Sequence, residues 1–100
     1  MTTTYLDCCH KVTADIAKAK DIITELRREE NDPRLGNPRP IVLLNDLRHI
    51  YQVGSEGLQR LRQLSIEVGG DFAVIQTAAT ALQRINTIIP HFATKFEGSG

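Results

Sequence analysis

Three short groups in the 100-residue chain bring together side chains capable of chemistry. Arg84 and His91 have six residues between them, a permanent cation near a group that can take or give a proton. Cys8, Cys9 and His10, with Asp7 before them, are all metal-capable. Gly54-Ser55-Glu56-Gly57 is a G-x-x-G tetrapeptide, whose glycines could break a helix, clamp a phosphate backbone, or admit another helix at close range.

Spacing tests each of these. The Arg84/His91 pair resembles the R-x(4-6)-H motif of HEPN-type ribonucleases, themselves all-helical. That resemblance implies an all-helical ribonuclease or toxin acting through Arg84 and His91, and it stands as the alternative reading. The likeness is one of spacing: Pro90 falls between the pair, and Ile85 occupies a place where that family usually has a polar residue. The G-x-x-G is similar to the clamp loop of KH domains, which grips single-stranded RNA. Glu56 would repel phosphate inside such a clamp, and no segment alternates with the period of two that the accompanying sheet needs. Consecutive side chains on a helix diverge, so Cys8, Cys9 and His10 cannot close a tetrahedral site alone. The expectation is no metal and no cofactor, with Cys9 in the core and Cys8 and His10 beside it. His49 and His91 are lone histidines, and the histidine-x-x-K-G pattern of phosphotransfer domains does not occur.

Twelve basic and twelve acidic residues cancel, which leaves no electrostatic footprint for nucleic acid or acidic lipid. Arg48, Arg60 and Arg62, with Gln59 and Gln63, make one stretch locally basic, but no aromatic residues interleave for base stacking. No window approaches the roughly 18 to 20 continuous apolar residues of a membrane span, and MTTTYLDCCHK lacks the apolar core of a secretory signal. Adjacent helical cysteines are poorly placed to bridge and read as free thiols of a reducing compartment. A cytoplasmic protein with protein partners is expected. A phosphate loop, a nucleophile elbow and paired carboxylates in apolar settings are all missing, so the expectation is that it is not an enzyme.

The elements that must position these residues are helices. Tyr5, Cys9, Val12, Ile16, Ala19, Ile23 and Leu26 step alternately by four and three, a heptad seam predicting a helix over about 4–30. NDPRLGNPRP, with three prolines and a glycine, must turn the chain, and Pro40 suits the first position of a second helix. From there two adjacent seams run in phase through both glycines, one by Leu44, Leu47, Tyr51, Gly54, Leu58 and Leu61, the other by Ile50, Gly54, Gly57 and Leu64. Unbroken phase predicts one helix over about 40–68, with Gly54 and Gly57 as points of close packing. The alternative is a break there, four helices in all, with Ser55 as an extra N-cap. Gly69-Gly70 ends that helix and Asp71 caps a third, over about 71–96, with the seam Phe72, Ile75, Ala79, Leu82, Asn86, Ile89, Ala93 and Phe96. The fold class is all-α: an up-down-up antiparallel three-helix bundle forming one domain, residues 1–96. Residues 97–100, EGSG, read as a flexible tail of cloning origin.

The third helix is too apolar for an ordinary bundle exterior, because Arg84 is the only charged residue between Asp71 and Lys95. Beside its first seam runs a second stripe, Val74, Ala78, Ala81, Ile85, Ile88 and Phe92. A bundle of three helices needs one broad stripe from each, and this helix offers nearly two. The stripe is therefore expected to meet another chain, most simply a second copy in a homodimer or else a partner helix, making the protein an interaction module of the adaptor, assembly or scaffold kind.

Overall fold

The computed structural model describes residues 2–98, with side chains from Thr4 onward. Its elements are α1 (Thr2–Asn31), α2 (Arg39–Val68) and α3 (Phe72–Phe96), and no strand forms among the described residues. All three helix pairs touch. Arg39 at the start of α2 reaches Glu25 and Glu29 near the end of α1, and Glu30 at that same end reaches His91 near the end of α3. The helices thus run up, down and up in a rod of 51 × 19 × 18 Å.

The turns form for local reasons. Asn37 holds the first: its Oδ1 accepts the Arg39 N–H at 3.1 Å, while its amide nitrogen donates to Glu29 Oε2 at 2.9 Å. Pro40 follows inside the first turn of α2, where its missing N–H leaves nothing unpaired. At the other end Gly69 adopts the left-handed conformation at φ 68°, and the Ser65 carbonyl accepts the N–H groups of both Gly69 and Gly70. Asp71 then caps α3 by accepting the Ala73 N–H at 2.9 Å. Gly70 also lies under Tyr5 of α1, so closely that an added Cβ would stand 2.5 Å from the ring.

Helix α2 runs unbroken through Gly54 and Gly57, so the four-helix alternative does not form. Helix α3 continues through Pro90 to Phe96, anchored beyond the proline by Phe92, which is fully buried and stacks on Phe96 at 6.2 Å between ring centroids. The largest fully buried side chains are Val12 and Leu26 of α1, Leu44, Leu47 and Leu61 of α2, and Phe92 of α3.

Which seam residues turn inward differs from the sequence expectation in two places. On α1 it is Cys8 that is buried, and Cys9 is only half-covered. On α3 the buried residues are Ile75, Ala78, Leu82, Ile85 and Phe92, drawn from both stripes, whereas Phe72 and Asn86 of the expected seam are exposed. Heptad steps of 3.5 residues drift against a helical period of 3.6, and over a long helix the face toward a fixed neighbour passes from one stripe to the next.

Candidate functional site

Helix α2 packs closely along α1, but α1 and α3 meet only sparingly. The gap between them is a run of three adjoining depressions of about 540, 480 and 450 Å³. The first two share Arg27, Thr80, Arg84 and Ile88, and the second and third share Lys20, Thr77 and Ala81, so they form one groove. On the α1 side it begins at Cys9 and ends at Arg27, about 27 Å at 1.5 Å per residue.

The floor is apolar. Ile16 and Ile23 of the α1 seam are half-buried here, as are Ala81 and Ile88 of α3. Val74, 39% exposed, lies at one end. These residues keep the heptad spacing of a core but have a partner on one side only. Ala17, Ala73 and Ala81 keep the walls low, which suits helix axes 8 to 10 Å apart. Thr80 and Thr87 donate their hydroxyls to the carbonyls of Gln76 and Gln83 at 2.9 and 3.0 Å, so these polar groups are satisfied within α3.

The expected stripe is therefore divided. Val74, Ala81 and Ile88 line the groove, while Ala78 and Ile85, 7% and 3% exposed, are part of the bundle's own core even where a rim of each borders the groove. Gly54 and Gly57 lie elsewhere, at the contacts of α2 with its neighbours: a Cβ on Gly54 would meet Leu82 Cδ2 at 3.0 Å, and one on Gly57 would meet Val12 Cγ2 at 2.9 Å. Arg84 and His91 do come together at one end of the groove, with Arg27 across from them. His91 Nε2 lies 2.6 Å from Glu30 Oε2, so the imidazole is already engaged.

The charges of the groove were not legible from the neutral total. Lys20, Arg27 and Arg84 are exposed along it, no carboxylate lines it, and none of the three forms an ion pair among the described residues. Three acids of α1 are engaged elsewhere, Asp15 near Lys11 and against Gly54, Glu25 and Glu29 on Arg39, and Glu30 meets His91 at the groove's end. Helix α3 contains no acid at all from Phe72 to Phe96.

Cys8 faces α2, where its thiol donates to the Gly57 carbonyl at 3.4 Å, and burial pushes its pKa up. Cys9 looks into the groove, and His10 is exposed. No group of three His, Cys, Asp or Glu side chains able to hold a metal ion occurs among the described residues. No described helix is long and apolar enough to cross a membrane. Comparison with known protein families, curated proteins and solved structures gives no match to this chain.

Proposed function

We propose that the protein is a helical-bundle interaction module, an adaptor, assembly or scaffold subunit, whose docking face is the groove between α1 and α3. One observation carries this reading: Ile16, Ile23, Ala81 and Ile88 hold core spacing yet lie half-open in a groove about as long as five helical turns. A further helix laid there would close the seam as a fourth member of the bundle. The stripe alone fits a two-fold homodimer as readily as a complex with another protein.

The test is Ala81→Lys. Its ammonium extends into open groove, so helix content and melting temperature should match the parent chain, while association is lost. Association is read as molar mass across a dilution series for the homodimer, or as anisotropy of a labelled helical peptide for a different partner. Unfolding of Ala81→Lys would place the stripe in a closed core and remove the docking reading.

One observation favours a second reading. Arg84 and His91 line the same depression, with Arg27 opposite, as a HEPN-type ribonuclease would require of its pair. RNA cleavage that disappears in both Arg84→Ala and His91→Ala, with the fold intact, would establish it in place of the module.

A further inference from the structure

The apolar floor of the groove specifies a helix, and its rim specifies which kind. Resting on the docking reading above, we infer that the occupant is an acidic amphipathic helix supplied by another protein, not a second copy of this chain. Lys20 and Arg27 stand on one wall and Arg84 on the other, with no carboxylate between them. A helix seated on Ile16, Ile23, Ala81 and Ile88 would carry its flanking positions past these three cations on both sides. Glu or Asp at those flanks would form ion pairs at the edge of an apolar contact, and Lys or Arg would be repelled.

The same rim argues against self-docking. A two-fold dimer through this groove would set the cations Lys20, Arg27 and Arg84 of one copy against those of the other, and no carboxylate lines the groove to meet them. Like charges placed across an interface select against that pairing. Glu30, at the groove's end, is already engaged by His91.

The probe is a displayed library of amphipathic helices of about 18 residues, the length of the groove. Leu and Ala are fixed on the apolar face, and Glu, Gln or Lys is varied at the flanks. Binding to the full chain should enrich Glu. Affinity for the triple variant Lys20→Glu, Arg27→Glu, Arg84→Glu should fall about tenfold or more, and should return when the peptide's flanking Glu are exchanged for Lys. These positions are exposed, so circular dichroism should report the parent fold for the variant. Raising the salt concentration should weaken the parent pair. Equal enrichment of Gln flanks, with no loss in the triple variant, would overturn the acidic assignment and leave the docking groove standing. A homodimer of the unmodified chain that Ala81→Lys dissolves would also overturn it, by making the second copy the occupant. If no peptide of any charge is selected, or if selected peptides bind Ala81→Lys unchanged, the docking reading itself fails.

Discussion

Gly57 lies so close under Val12 that a Cβ built on the glycine would stand 2.9 Å from the valine Cγ2. Val12 is 1% exposed and branched at Cβ, so it has little freedom to turn aside. One turn earlier, Gly54 receives Leu82 of α3 in the same way, at 3.0 Å. The two glycines thus admit different neighbours, Gly57 the first helix and Gly54 the third. Alanine is the better helix former by about 1 kcal/mol, yet Gly57→Ala should lower the denaturation midpoint because overpacking outweighs that gain. Gly54→Leu should cost about 1 to 3 kcal/mol. A raised midpoint for either variant would contradict the close approach.

The neighbouring thiols should separate cleanly by reactivity. Cys9 borders the open groove, whereas Cys8 is buried, donates to the Gly57 carbonyl, and has its pKa raised by desolvation. At neutral pH a small maleimide should modify Cys9 first and reach Cys8 only in denaturant, with the site assigned by fragment-ion mass spectrometry. A helix bound in the groove should slow the first reaction and leave the second unchanged. Equal rates at the two thiols would refute this placement.

Acid should unfasten the far end of α3. Arg48 donates to both carboxylate oxygens of Glu97, at 2.8 and 2.7 Å. Those hydrogen bonds are the largest cause of the lowered Glu97 pKa. A carboxyl whose pKa is lowered on folding stabilises the fold above its unfolded value, about 4.3, and that stabilisation is lost as pH falls through the lower folded value. The melting temperature of Glu97→Gln should therefore lie below that of the parent at neutral pH. The gap should begin to narrow as pH falls toward about 4.3 and close once pH is below the lowered folded value. A gap that persists at pH 2 would assign the difference to something other than this pair.

The fold could be read in the sequence because heptad steps, proline-rich turns and Gly-Gly-Asp punctuation act locally and agree with one another. The choice between adjacent stripes could not, since it depends on where the neighbours stand. Cys8 and Cys9 are one residue apart; the first is drawn toward α2 and the second toward the gap beside α3, a distinction that appears only once three helices are assembled. Ala78 and Ile85 likewise joined the core because α3 leans on α2 more than on α1. The cationic rim was hidden for another reason: Lys20, Arg27 and Arg84 lie on two separate helices and are cancelled in the total by acids on other faces. Glu97, on the tail side of the expected boundary, closes the bundle by pairing with a residue 49 positions away; Ser99 and Gly100 of that tail lie outside the described residues.

Helices α1 and α3 run the same way, so the start of one and the end of the other lie at opposite poles of a body 51 Å long. An even number of helices would have brought those two points together. Here, polypeptide continued from both poles is held apart, and tension between them acts along the helix axes. Such a load shears α2 against its neighbours, a direction in which many interdigitated side chains must slip at once. The unit is consequently stiff along its length, and units joined pole to pole would add length with each copy and would not fold back on themselves.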